Sequence, residues 1–340
     1  MLMPEKMKAA VYSKPGLIDL VENPVPQVDE RKVLIKVFQS GICGGDLKRF
    51  KGEFPPPKYT DGHEFSGVVA QVGSSVDGVQ EGERVIVKAF RHCGNCRFCR
   101  CGLYQLCEQW EFLSNVCHGG YGEYALVDAG LIFPLSSNLS FEEGALVEPL
   151  AVACHALRRA AIDYPEDILI IGGGTIGLFS IAVAYALGLR PSCMVKYLHQ
   201  AEVAQAFGIK KIYLLSQDEP PRNQFSVVIE TTASERALNQ ALISVRKGGK
   251  IILVGSYSNS VPVRLDQLID RELEIMGSLC YGQGGIYSDY EMATRLIEDH
   301  MVDFTRVITH RFSLAEINRA FQVAADKHSG AIKVHLIFNT

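Results

Sequence analysis

The sequence predicts an α/β protein of two domains, one a doubly wound parallel sheet and the other a small β-barrel or sandwich. Three observations lead there. The chain is 340 residues long, which suits two domains better than one. From Met7 to about Leu150, apolar and polar residues alternate over strand-like lengths that stop at Gly and Pro. From about Glu166 the texture changes to long apolar strands alternating with helical stretches, the pattern that parallel neighbours require because each pair needs a crossover helix.

In the first half, KVLIKVFQSG, EFSGVVAQVG and RVIVKAF read as half-buried strands. In the second, DILIIGG is a buried strand and TIGLFSIAVAYALG a helix stopped by Gly188. The strand SCMVKYL and the helix QAEVAQAFG follow, then KKIYLLS, FSVVIETT, the helix ERALNQALISVRKGG and the strand KIILVGS. Beyond about Tyr287 come two helices, DYEMATRLIEDHM and SLAEINRAFQVAAD, and a last strand, AIKVHLIF. Ser313 and Glu316 have capping-box spacing at the start of the second helix. These late elements are expected to return to the first domain, giving one domain of residues 1–151 and 287–340 and an inserted one of 152–286.

Composition narrows the function. With 47% hydrophobic and 21% charged residues the chain is an ordinary globular protein. A net charge of -4 and a pI near 6.2 supply no basic field for a phosphate backbone, which argues against nucleic acid as a partner. The N-terminus MLMPEKMKAAVYSKPG lacks an apolar h-region, and no run reaches the roughly 18 apolar residues that cross a bilayer. A cytoplasmic protein without a membrane partner is expected. Ten Cys are too sparse for a disulfide scaffold, yet five of them fall between Cys93 and Cys107, and clustering of that kind points to metal.

Cys93, Cys96, Cys99 and Cys107 form C-x2-C-x2-C-x7-C in HCGNCRFCRCGLYQLC, a polar loop at about 92–108. Short C-x2-C turns bring thiolates together around one tetrahedral Zn2+, and four thiolates leave no open position for chemistry, so this ion is structural. Cys101 has no place in the pattern. A second set, Cys43, His63, Glu64 and Glu148, lies beside turn residues in GICGGDL, DGHEFSG and LVEPLAV. Cys, His and Glu are permitted donors to a catalytic zinc, which keeps one position open, but each residue alone is equally well a buried thiol, a solvated pair or a helix start. Gly172-Gly173-Gly174-Thr175-Ile176-Gly177 supplies G-x-G-x-x-G between a strand and a helix, which is the context of a Rossmann dinucleotide turn. Gly172 permits the turn, Gly174 lets the backbone approach a pyrophosphate, and Gly177 lets helix and strand pack closely. The helix amides from Thr175 and Ile176 onward point at the phosphates.

GHEFSGVVAQVGSSV fits G-H-E-x2-G-x5-G-x2-V at Gly62, His63, Glu64, Gly67, Gly73 and Val76. With the cysteine lobe, HGGYGEYALV and VEPLAVACHA, it makes the chain resemble the zinc-containing medium-chain dehydrogenases/reductases along essentially its whole length, and their polyol or sorbitol dehydrogenase branch in particular. The resemblance implies a GroES-like catalytic domain around a Rossmann domain. It implies two zinc ions per chain, with Cys43, His63 and Glu148 as catalytic-zinc ligands, and Glu64 as an alternative ligand or a neighbour behind them. It also implies reversible oxidation of a secondary alcohol (a polyol, sugar or cyclitol) with NAD(P), by a homodimer or homotetramer. Asp46 matches the family's acid and is expected to make structural hydrogen bonds. His155, seven residues after Glu148, reads as a helix-packing histidine.

Two positions depart from the family. Gly45 stands where a hydroxyl residue usually relays the alcohol proton. The second Rossmann strand ends Met194-Val195-Lys196-Tyr197, with no acid for the ribose 2′-hydroxyl. Val195 removes the repulsion of a 2′-phosphate and Lys196 would attract one, so NADP is favoured over NAD. The alternatives are a reductase of this fold without catalytic zinc and, because of Gly45, an inactive nucleotide-binding module.

Overall fold

Two units carry the chain in this computed structural model, which describes residues 3–162, 166–284 and 286–338: Met1–Glu148 with Ile308–Thr340, and Pro149–Val307. The joins at 148/149 and 307/308 compare with 151/152 and 286/287 expected from sequence.

In the first unit, β1 (Lys6–Lys14) and β2 (Leu17–Pro24) form an antiparallel hairpin. β3 (Lys32–Gly41), β4 (Glu64–Val72) and β5 (Arg84–Val87) follow, and β6 (Phe90–Arg91) pairs with β7 (Glu111–Phe112) beside the cysteine lobe. β8 (Tyr124–Asp128) and β9 (Ile132–Pro134) complete the N-terminal part, and β18 (Ile308–Ser313) and β19 (Lys333–Ile337) return from the other chain end. One sheet runs β18-β19-β3-β4-β5-β9, with β8 also paired to β3. β3 is buried on both faces: Val33, Ile35 and Val37 belong to a core with Phe65, Val69 and Val127, while Leu34 packs with Met7, Ala9 and Leu126. That two-sided burial explains why KVLIKV is more apolar than strict alternation would make it.

The second unit is a six-stranded parallel sheet. It runs β12 (Lys211–Leu214), β11 (Arg190–Val195), β10 (Asp167–Ile171), β13 (Phe225–Glu230), β14 (Val245–Leu253), β15 (Glu274–Gly277). A short ribbon, β16 (Gln283–Gly284) and β17 (Tyr287–Ser288), lies outside that sheet. Strand order reverses between β10 and β13, the switch point at which doubly wound sheets take ligands. The helix Thr175–Ala186 is apolar all round and buried from Gly177 to Ala184, as such a helix must be. The helix Glu235–Ser244 stops five residues short of the expected RKGG end. Val245 is buried against Phe225 and opens β14, and Gly248 takes a left-handed φ of +67°. Among the described residues, no helix is long and apolar enough to cross a membrane.

The helix Asp289–Glu298 belongs to this second unit rather than to the first, and a buried carboxylate shows why. Asp289 accepts hydrogen bonds from Arg158 Nε at 2.9 Å, Arg158 Nη2 at 2.7 Å and the Gly282 amide at 2.7 Å, and lies 2.9 Å from His155 Nδ1. Farther along, Phe179 meets Phe304 edge-on at 5.8 Å. Burial alone would raise the Asp289 carboxyl, but hydrogen bonding with His155, Arg158 and Gly282 holds it below its ordinary value. Asp289→Ala should therefore cost about 3 kcal/mol in urea denaturation at pH 7, because it strands a buried histidine and a half-buried arginine. Since the folded pKa is the lower one, the contribution is complete above the ordinary value of about 3.9 and is lost as pH falls through the folded value. The gap between variant and wild type should thus close in acid. A gap independent of pH would assign Asp289 a packing role only.

Candidate functional site

The antiparallel register of β3 and β4 sets Gly41 opposite Glu64, so the segments leaving those strand ends, Ile42-Cys43 and Gly62-His63, come together. The approach is close: a Cβ on Gly41 would lie 2.2 Å from Glu64 Oε2. Cys43 is the N-cap of the helix Gly44–Phe50, and its amide donates to Asp46 Oδ2 at 2.9 Å. Tyr121 donates to the same oxygen at 2.6 Å, and Asp46 Oδ1 lies 3.6 Å from His63 Nδ1. Asp46 is thus the fully buried group that ties the Cys43 turn to His63. Gly45 leaves room beside the thiol, because a Cβ there would meet Cys43 Sγ only at 4.0 Å.

Ligating atoms of Cys43, His63 and Glu64 lie within 4.8 Å of one another. Glu148 falls outside this set but is buried and close enough to act on His63 electrostatically. Both Glu64 oxygens accept from Lys333 Nζ, at 2.8 and 2.6 Å, and Lys333 also donates to the Ile42 carbonyl at 3.1 Å. Burial pushes the Cys43 thiol up, with His63 opposing. Burial and the nearby Asp61 push Asp46 up to about 6. Burial also pushes Glu148 up to about 7, against His63. Burial would depress His63, but Asp46, Cys43 and Glu148 outweigh it and hold the imidazole well above its ordinary value.

This pocket is rich in buried carboxylates, and some of its polar atoms have no hydrogen-bond partner among the described residues. Asp61 accepts from Arg49 at 2.8 Å and from the Tyr12 hydroxyl at 3.1 Å. Even so, among the described residues Asp46 Oδ1, Asp61 Oδ1 and His63 Nδ1 are buried without a hydrogen bond. Sulfur, imidazole nitrogen and carboxylate oxygen in one buried cluster are a donor set that suits zinc. Sequence reasoning missed Lys333, Asp61 and Arg49. The one available signal was a lysine inside the apolar strand AIKVHLIF.

The lobe passes a sharper test. Sγ separations are 3.5 Å for Cys96–Cys99 and Cys93–Cys107, and 3.9 Å for Cys93–Cys99 and Cys96–Cys107. A tetrahedron of sulfurs at about 2.3 Å from zinc has edges of about 3.8 Å. Backbone amides of Cys93, Cys96 and Gln109 point at these sulfurs at 3.2 to 3.4 Å. Cys101 is exposed and outside the cluster.

In the second unit, the glycine turn has the geometry its motif asks for. Gly172 has φ +120°, and a Cβ there would strike Thr231 Oγ1 at 2.3 Å. A Cβ on Gly177 would lie 2.1 Å from the Gly172 carbonyl, whereas Gly174, the N-cap ahead of Thr175 and Ile176, has nothing within 4 Å and is open to a ligand. At the end of β11 the Val195 side chain is fully buried, so it closes the core and presents no surface to a ribose. Lys196 is the first exposed residue there, with its ammonium 5.1 Å from the Tyr197 ring. Gln200, which the sequence reading passed over, accepts from the amides of Lys196 and Tyr197 at 3.2 and 3.3 Å and packs on Gly173.

Comparison with known proteins agrees with this geometry. The alcohol dehydrogenase GroES-like domain matches residues 29–137 and the zinc-binding dehydrogenase family matches residues 175–299. The chain is 31% identical to the sorbitol dehydrogenase of Bacillus subtilis (strain 168), over 98% of this chain and 97% of that protein. The crystal structure of galactitol-1-phosphate dehydrogenase from Escherichia coli is similar with a TM-score of 0.88 at 27% identity, covering 97% of this chain and 100% of that one. A putative zinc-binding dehydrogenase from Sinorhizobium meliloti 1021, bound to NADP, gives 0.88 at 26% identity, covering 98% and 100%.

The Glu64–Lys333 pair yields a direct test. Lys333→Met removes the cation from a carboxylate whose side chain is 2% exposed, and should cost about 3 to 5 kcal/mol in chemical denaturation. Adding Glu64→Gln should recover much of that loss. Equal stability of wild type and Lys333→Met would mean that something other than the lysine neutralises Glu64.

Proposed function

This chain belongs to the zinc-type alcohol dehydrogenase family of oxidoreductases, and we propose that it transfers a hydride between a secondary alcohol, of the polyol or sugar class, and NADP in preference to NAD. The observation that carries the reading is the convergence of Cys43, His63 and Glu64 in one buried pocket, in a chain that also forms the glycine turn at the switch point of a parallel sheet. The same convergence speaks against a zinc-free reductase. The polyol class is supported by the sorbitol and galactitol-1-phosphate dehydrogenases among the similar proteins.

In this reading each chain holds two zinc ions. Cys93, Cys96, Cys99 and Cys107 hold one, which stabilises the lobe. Cys43 and His63 hold the other together with a carboxylate. Glu148 suits that place better than Glu64, since Glu64 has both oxygens on Lys333 while Glu148 has no hydrogen bond among the described residues. When bound, this zinc supplies the Lewis acid that polarises the substrate oxygen, and the nicotinamide accepts the hydride. Asp46 positions the donors, fixing Cys43 through the helix cap and facing His63 Nδ1. Lys333 holds Glu64 behind them through both carboxylate oxygens. Gly45 offers no hydroxyl to carry a proton, so water or a neighbouring hydroxyl of the substrate takes that part, a second reason to favour polyols. NADP is favoured because the corner after β11 lacks an acid and exposes Lys196.

A screen of polyols with NADP and NAD, followed by nicotinamide absorbance, tests the reading, and tight nucleotide binding without turnover of any polyol would refute it. The metals separate by substitution. Cys96→Ser should lose one of two zinc ions and lower the melting temperature. His63→Ala should lose the other, keep its circular dichroism and abolish turnover. Full activity in His63→Ala would remove the catalytic zinc from the account. For the cofactor, Lys196→Ala should weaken NADPH binding about tenfold and leave NADH within about twofold, as expected for one charged contact to a phosphate. Equal losses for both would show that Lys196 supports the strand.

A further inference from the structure

We propose that Glu230 is a positioning residue for the dinucleotide, whose buried carboxylate fixes the turn Thr231–Ala233 against the glycine turn and thereby sets cofactor affinity. The inference rests on the reading of Gly172–Gly177 as the dinucleotide site.

Glu230 ends β13, the strand across the switch point from β10. It is 0% exposed, and among the described residues no lysine or arginine pairs with it. A carboxylate so buried is tolerated only when donors surround it. They come from the turn that follows. Oε1 accepts from the Thr232 amide and hydroxyl, both at 2.6 Å, and from the Ala233 amide at 3.1 Å. Oε2 lies 3.2 Å from that same amide and accepts from the Tyr257 hydroxyl at 2.8 Å. Ala233 has a left-handed φ of +55°, a conformation that costs a non-glycine residue of order 1 kcal/mol and that these bonds to its amide help to hold.

What the turn touches gives it a role beyond stability. The Thr231 amide and hydroxyl both donate to the Ile171 carbonyl at 3.0 Å, tying the turn to the last residue of β10. The first motif glycine rests directly on it: a Cβ at Gly172 would lie 2.3 Å from Thr231 Oγ1 and 2.8 Å from Thr232 Cγ2. On the other side Gly255 presses on Ala233, its Cβ position being 2.4 Å from the Ala233 nitrogen, and the Val254 amide donates to the Glu230 carbonyl at 2.8 Å. The carboxylate thus holds a turn that joins the ends of β10, β13 and β14. A small tilt of this turn would move Gly172 and the amides after it, where an error of an ångström is costly for a ligand held by backbone groups.

Glutamine at this position keeps size and shape but replaces one acceptor by a donor, facing groups that donate already. The test uses full-length, zinc-loaded wild type, Glu230→Gln and Tyr257→Phe, titrated with NADPH and with NADH by nicotinamide fluorescence. Glu230→Gln should raise both dissociation constants about tenfold and to the same extent, because the turn lies under the part the two cofactors share. It should also shift the emission of bound NADPH, while zinc content is unchanged. Tyr257→Phe, which removes a single bond, should raise both about two- to threefold. Unchanged dissociation constants in Glu230→Gln would overturn the proposal, and should that variant fail to fold, unchanged constants in Tyr257→Phe and Thr232→Val would overturn it as well. A wild type that binds neither cofactor would instead overturn the dinucleotide reading beneath it, and the proposal with it.

Discussion

Negative charge buried in the first unit is the constraint around which the candidate active site is organised. Asp46, Asp61, Glu64 and Glu148 all lie out of solvent near His63, and a desolvated carboxylate is costly unless a cation or several donors meet it. The protein supplies two cations from distant parts of the chain. Arg49 reaches Asp61 from the helix that Cys43 caps, and Lys333 reaches Glu64 from the last strand. That lysine explains why the C-terminal segment must return to the N-terminal one, since β19 pairs with β3 and carries the cation to the strand end where Glu64 lies. Cys43, His63 and Glu148 remain as the donors we assign to zinc, with Asp46 behind them on His63 Nδ1.

The second unit meets a related demand with backbone amides as well as a cation. Glu230 is neutralised by the turn it ends in, and Asp289 by a guanidinium, an imidazole and an amide. In both cases a buried carboxylate gathers segments far apart in sequence and fixes them where propensity alone would leave a loop. Above this scaffold the glycine turn stays open at Gly174 and closed at Gly172 and Gly177, so the backbone can meet a phosphate at one place and sheet and helix can pack at the others.

Features with a local signature were legible in the sequence. The spacing of Cys93, Cys96, Cys99 and Cys107 is itself a geometric statement, because short turns fix where their sulfurs point. The strand–glycine–helix context at Gly172 is likewise contained in one stretch. Other features depend on tertiary pairing and left little local trace. Lys333 looks like any residue of a strand until β19 is placed beside β3. Asp61 and Glu230 look like solvated acids until their donors are known. The expected helix through Val245 failed because a buried strand pairing outweighed helical periodicity, and the helix Asp289–Glu298 stays with the second unit through the clamp on Asp289. Val195, in the place of the missing acid, is fully buried, and Lys196 is the exposed residue at that corner.

The central claim is that one chain holds two zinc ions in two chemically different shells. X-ray absorption at the zinc edge of the purified protein, with metal content determined on the same sample, tests it most directly. The account predicts two zinc ions per chain and a mean shell of about 2.5 sulfurs per zinc, from one four-sulfur site and one site with a single sulfur beside nitrogen and oxygen. One zinc per chain in a pure four-sulfur shell would contradict it.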